Sequence, residues 1–310
     1  MKAIQNFCER YGWVVMGGAL VFTLIFSLLL SLDVSKNDYL YYMHLVDNYD
    51  CSQDTMVVGT IFFSKPLWLL FGRNLWMWRI GAWLINCVTA LIPFFLLLNK
   101  EQRHRYAYVM VLVIVVLNWR FGLEPPQYVS LFNTLMLTCF IKYLQNNSYR
   151  FILAVSLFVA LITFVRFPSV FVWPVVILAV LLLRQNIKHT LTAALLPLLF
   201  FACLVSITNG SICGYFGDLT STLHQSATDD HTIKKIFVSE IYHTIQLIKF
   251  VLVLSLPIIL FAVCKIKKSI IAYLIFVIVA VILLKICHAQ IMGHHWSFVL
   301  YTPFALFILL

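Results

Sequence analysis

Apolar runs of helix length, separated by short charged or polar turns, recur along all 310 residues of the chain. The most sharply bounded extend from Trp13 to Leu32, Met77 to Leu98, Val170 to Leu183, Thr190 to Ile207, Leu247 to Cys264 and Ser269 to Leu284. Tyr106 to Asn118, Val129 to Leu144, Phe151 to Val165 and Trp296 to Leu310 are shorter or more interrupted. Together they predict about ten transmembrane helices in one all-α polytopic bundle. Such runs argue against an outer-membrane barrel, whose strands would be alternating segments of about ten residues. A helix satisfies its own backbone hydrogen bonds in lipid, which is why long apolar runs adopt it. The first run is long enough to span and carries no small-residue cleavage site, so it reads as an anchor with the N-terminus in the cytoplasm.

The polar positions are unevenly spread. Between the first two predicted spans, from Asp33 to Gly81, lie five aspartates (Asp33, Asp38, Asp47, Asp50 and Asp54), then Ser64-Lys65-Pro66-Leu67-Trp68 and Phe71-Gly72-Arg73-Asn74. Tyr39, Tyr42, Met43 and Val46 recur at i, i+3, i+4 and i+7, with Asp47, Asp50 and Asp54 on a separate acidic stripe. That spacing predicts an amphipathic helix on the membrane surface, its tyrosines near the headgroups. A mere connector would need neither the acids nor an apolar re-entry carrying one lysine, so this loop is the expected seat of the chemistry.

Composition narrows the class. Hydrophobic residues make up 62% of the chain and charged ones 11%, with a mean hydropathy of +0.95, far outside the soluble range. Assigning alternate turns to opposite faces puts Lys2, Arg10, Lys100, Arg103, Arg105, Lys142, Arg150, Arg184, Lys188, Lys265, Lys267 and Lys268 inside, against Glu9 and Glu101. The whole formal charge of +10 therefore falls on the cytoplasmic face, which is the positive-inside pattern and not a nucleic-acid footprint. No linker, low-complexity tract or repeat divides the chain, so residues 1–310 are expected to be a single membrane domain. The last run ends at Leu310 without a basic flank, as in a carboxy-terminally shortened chain.

Asn37-Asp38-Tyr39, then Lys65-Pro66-Leu67, then Phe71-Gly72-Arg73-Asn74-Leu75-Trp76-Met77-Trp78-Arg79-Ile80 resemble, in order and spacing, the first outer loop of GT-C type glycosyltransferases. They resemble especially the branch holding protein O-mannosyltransferases and lipid A aminoarabinose transferases. It continues through Arg120 to Pro126, through Phe164-Val165-Arg166-Phe167-Pro168, and through His294-His295-Trp296 to Tyr301-Thr302-Pro303. The resemblance implies an inverting enzyme of the cell envelope that passes a sugar from a polyprenyl-phosphate donor to a hydroxyl on lipid, glycan or protein. Its site would face the periplasm at a bacterial inner membrane, with membrane lipids as surroundings and no nucleic acid among its partners.

Within that resemblance Asp38 matches the catalytic acid position and would take the acceptor proton, and Lys65 matches the lysine that holds the donor phosphate. A helix cap is the plain alternative for Asp38, and snorkelling beside Trp68 for Lys65. Arg120 and Arg166 are either donor contacts or interface anchors, and Glu124, before Pro125-Pro126, is either an acceptor-positioning carboxylate or a turn residue. His294 or His295 would contact the donor phosphate, with membrane-interface histidines as the plain alternative. Aminoarabinose-transferase relatives carry a metal-binding carboxylate immediately before the lysine, where this chain has Ser64. His288, His294, His295 and Asp229-Asp230-His231 lack the i, i+4 spacing of a zinc motif, so no divalent metal or other cofactor is assigned. Cys51 and Cys213 are outer cysteines whose pairing would staple two loops. A flippase or transporter of lipid-linked sugars is the rival reading from another class, and a polysaccharide polymerase is a further one.

Overall fold

The computed structural model describes residues 2–29, 39–48, 58–70, 72–118, 125–184, 186–209 and 212–228. Ten α-helices follow one another: α1 (Lys2–Leu29), α2 (Tyr39–Asp47), α3 (Val58–Leu70), α4 (Leu75–Leu97), α5 (Lys100–Leu117), α6 (Pro125–Asn146), α7 (Tyr149–Val165), α8 (Val172–Arg184), α9 (Ile187–Asn209) and α10 (Ile212–Thr228). A 3-10 turn, Phe167–Phe171, joins α7 to α8. There is no strand among the described residues.

Among the described residues three helices are long and apolar enough to cross a membrane: Arg10–Leu29, Leu75–Leu97 and Ile187–Thr208. The predicted runs at Tyr106–Asn118, Val129–Leu144, Phe151–Val165 and Val170–Leu183 also fall on helical backbone, in α5, α6, α7 and the 3-10 turn with α8. They miss that length and hydropathy for separate reasons. α5 opens with Lys100, Glu101, Gln102, Arg103, His104 and Arg105, α6 carries a stripe of polar side chains, and α7 and α8 have 17 and 13 residues. The last three predicted spans lie outside the described residues.

Large apolar side chains point outward from α1 (Val14, Val21, Phe22, Leu29), α4 (Leu84, Val88, Leu96) and α9 (Leu191, Leu195, Leu199). Outward faces of this size would be a liability in water and are what lipid requires. Inside, α6 packs between α4 and α7, α7 against α9, and α1 against α5 and α4. The largest apolar cluster gathers Val46, Ile61, Trp68, Trp78, Ala82, Tyr128, Val129, Phe132 and Val165 from α2, α3, α4, α6 and α7.

One end of the bundle is closed by tight, asparagine-capped turns. Asn99 and Gln102 form a reciprocal capping box, each backbone N–H donating to the other's side-chain oxygen at 3.0 and 2.9 Å. Arg103 then donates to the carbonyls of Leu98 and Phe95 at the end of α4. Asn147 ends α6 at φ 49°, the left-handed conformation asparagine tolerates, and Asn186 caps α9 through the His189 N–H. The opposite end carries α2, α3, the turn before α4, the start of α6 and the Val165–Phe171 segment, and there the candidate chemistry collects.

Candidate functional site

The helix α3 organises this end. Thr60, Ser64 and Trp68, at i, i+4 and i+8, form its buried stripe together with Gly59 and Ile61. Gly59 lies against the end of α7, where a Cβ would stand 2.5 Å from the Phe164 carbonyl oxygen and 2.7 Å from Val165 Cα. Only glycine permits so close an approach of backbone to backbone. Thr60 Oγ1 donates to the Val165 carbonyl at 3.3 Å, and Ser64 Oγ shares a buried 2.9 Å hydrogen bond with the Tyr128 hydroxyl on α6.

On its other side α3 holds α2. The Lys65 ammonium donates to the carbonyls of Val46 and Asp47, the latter at 3.0 Å, so it caps the last turn of α2, where the helix dipole favours a cation. The Asp47 carboxylate accepts from Trp68 Nε1 at 3.2 Å and pairs with Arg73 Nη1 at 3.2 Å. The turn that delivers Arg73 is a Schellman cap. The Gly72 N–H donates to Leu69 O and the Arg73 N–H to Trp68 O, with Gly72 at φ 76° and Arg73 itself at φ 55°. Asn74 then opens α4, its side chain accepting the Trp76 N–H.

Two arginines are buried at this end. Arg79 on α4 is 4% exposed, lies 5.0 Å from the centre of the Trp76 ring and turns Nη1 toward the Ser27 and Leu28 carbonyls at the end of α1. Arg166 is 6% exposed in the kink between α7 and the 3-10 turn. A buried guanidinium is not a headgroup anchor, so the interface reading of Arg166 is set aside.

Lys65 and Arg166 are thus at the same end, tied by α3 through Thr60 to the residue preceding Arg166. Asp38, Arg120, Glu124, His294 and His295 lie outside the described residues, as do Cys51 and the other histidines and aspartates weighed as metal ligands, while Cys213 is exposed on α10. Ser64, next to Lys65, faces Tyr128 and supplies no anionic ligand. No group of three His, Cys, Asp or Glu side chains suited to a metal occurs among the described residues.

Three features went unread in the sequence. Gly59 gave no local sign, and the Asp47–Arg73 pair joins α2 to the turn between α3 and α4. The buried polar stripe of α6 did leave a signal, since Gln127, Ser130, Thr134 and Thr138 recur at i, i+3, i+7 and i+11. The helix α4, which packs on α6, adds the buried Asn86, on the same side as Trp78 and Ala82. Among the described residues no protein group bonds the Asn86 amide, Ser130 Oγ, Asn133 Oδ1 or Thr134 Oγ1.

The fold and site define a helical membrane protein with paired cations at one end of its bundle. No protein-family profile matches the sequence, and no similar curated protein or solved structure was found.

Proposed function

We propose that the chain is a GT-C-like glycosyltransferase of about ten spans, moving a sugar from a polyprenyl-phosphate donor to a lipid, glycan or protein hydroxyl at the outer face of a bacterial inner membrane. One observation carries the reading. The first outer loop, the start of α6 after Arg120 to Pro126, and the Phe164–Pro168 segment are far apart in sequence, yet all three meet on α3, through Lys65, Ser64 and Gly59-Thr60 respectively.

In this scheme Asp38 removes the acceptor proton, the acceptor oxygen bonds to the anomeric carbon with inversion, and the bond from that carbon to the donor phosphate oxygen breaks. The departing phosphate gains one negative charge, which Lys65 stabilises at the outer end of the bundle. Arg166 supports the site from the α7 kink, and Arg120, Glu124, His294 and His295 complete it around donor and acceptor.

The test is native mass spectrometry of the purified protein and its Lys65→Ala variant with added polyprenyl phosphate, followed by transfer assays on Asp38→Asn. Retention by the wild type alone, with activity lost in Asp38→Asn, is expected. Equal retention by both proteins would remove Lys65 from the donor site.

The buried polar seam between α4 and α6 favours a second reading, a flippase or transporter of lipid-linked sugars, because polar side chains within a span commonly line a polar path. Movement of lipid-linked sugar across proteoliposomes without sugar transfer would select that reading.

A further inference from the structure

Lys65 and Arg73 both hold the same residue. The ammonium sits on the Asp47 carbonyl and the guanidinium on the Asp47 carboxylate, with Trp68 Nε1 donating to the oxygen that Arg73 contacts. One cation and an indole donor therefore converge on the Asp47 carboxylate, while the second cation, Lys65, is held on the backbone carbonyl of the same residue. The arrangement is open to ligands, since the Arg73 side chain is 59% exposed and that of Asp47 38%.

The backbone adds an independent observation. Arg73 sits at φ 55°, directly after Gly72 at φ 76°. Left-handed backbone suits glycine or asparagine and strains other residues, so an arginine here is carried against local preference, as residues at ligand sites often are. The turn needs its glycine at position 72 to end α3, but nothing in the cap requires an arginine at 73.

We propose that Arg73 and Lys65 form a two-cation site for a phosphate ester, and that the Asp47 carboxylate is the internal anion on its Arg73 half, and the α2 carbonyls the acceptors on its Lys65 half, until the ligand displaces them. This rests on the reading of Lys65 as a phosphate-binding residue and adds Arg73 and Asp47 to it. A phosphate presents more oxygens, and as a monoester more charge, than a carboxylate, and the guanidinium fork grips it through two parallel bonds. Exchange of Asp47 for phosphate at Arg73 is thus favourable, while Asp47 excludes weaker anions.

The full-length protein, purified in detergent, is titrated with polyprenyl monophosphate and separately with inorganic phosphate, for wild type, Arg73→Gly, Asp47→Asn and Lys65→Met. Arg73→Gly relieves the left-handed strain, so its melting temperature should hold or rise while its affinity falls roughly tenfold. Asp47→Asn removes the competing anion and should tighten binding by about threefold or more. The same ordering with inorganic phosphate would support the cation pair and assign it to free phosphate, and ordering confined to the lipid would assign it to the lipid ester. Loss of binding in Lys65→Met with Arg73→Gly and Asp47→Asn unchanged would overturn this proposal and leave the donor reading standing. No binding by the wild type, or none of the three variants altering it, would overturn both.

Discussion

Replacing Gly59 by alanine adds one methyl group where the structure has no room for it. The new Cβ would stand 2.5 Å from the Phe164 carbonyl oxygen and 2.7 Å from both the Phe164 carbonyl carbon and Val165 Cα. Favourable contact needs about 3.5–4.0 Å, so α3 must retreat from α7 by roughly 1 Å, because the opposing atoms are backbone and cannot turn aside. Overpacking of this kind costs about 1–3 kcal/mol. The retreat also breaks the 3.3 Å bond from Thr60 to the Val165 carbonyl, worth about 1 kcal/mol. At about 2–4 °C per kcal/mol, the range for domains of about 150–250 residues, the loss of about 2–4 kcal/mol amounts to roughly 4–16 °C in melting temperature. Lys65 rides on the same helix, so phosphate binding should weaken along with stability. The assay is thermal unfolding in detergent followed by intrinsic fluorescence, with Gly18→Ala as control, since no atom lies within 4 Å of a Cβ there. A Gly59→Ala protein melting within about 1 °C of wild type would refute the close approach of α3 to α7 and with it the convergence on which the site rests.

Three shorter predictions follow. Ser64→Ala, Tyr128→Phe and the double variant should show a coupling of about 1 kcal/mol by thermal unfolding, and additive effects would mean that the buried hydroxyls do not bond. Asn86→Leu, which replaces a 1% exposed amide by an apolar side chain of similar size, should leave the melting temperature unchanged or raise it. A fall of more than about 5 °C would show that the amide bonds a group essential to the fold. Polyprenyl phosphate, by drawing Lys65 from the Val46 and Asp47 carbonyls, should speed amide exchange in the last turn of α2; slower exchange there would count against that competition.

Much of the helical order was legible because each apolar run ends where its caps are written. Asn99 and Gln102, Asn147, Asn186, and Gly72 with Asn74 all mark turns by local chemistry. What faces each helix was less legible. The stripe of Tyr39, Tyr42, Met43 and Val46 was read as a membrane-surface face, yet Val46 is fully buried and Met43 packs beside it in the cluster shared with α3, α4 and α6. Periodicity defines a face but not its neighbour. Asp47 was likewise read as part of an acidic stripe, and its pairing with Trp68 and Arg73 depends on how α3 ends rather than on anything within α2. For Lys65 the sequence leaves lipid headgroup and phosphate open, and the structure adds a contact that neither implies, the cap of α2. Asp38, Arg120, Glu124, His294 and His295, expected at the site from the sequence, lie outside the described residues.

The cap on α2 and the pair on Asp47 bear on the order of events in the proposed transfer. A polyprenyl-phosphate sugar is a phosphodiester with one negative charge, and it becomes a monoester with nearly two once the bond to the anomeric carbon breaks. A site that merely bound the donor would need one cation, and Lys65 supplies it in exchange for the partial charge of two helix carbonyls. The second charge exists only as the bond breaks, and an arginine released from Asp47 at that stage acts on the transition state more than on the bound donor. Interactions that strengthen along the reaction raise its rate, whereas those already complete in the ground state do not. An internal carboxylate on Arg73 therefore does more than fill an empty site. In the proposed transfer it would set a threshold of anionic charge below which the second cation stays engaged elsewhere, and the spent polyprenyl phosphate, not the donor, would be the species the pair holds most tightly. Release of that product, aided by return of Asp47 to Arg73, would then be a step at which this arrangement limits turnover.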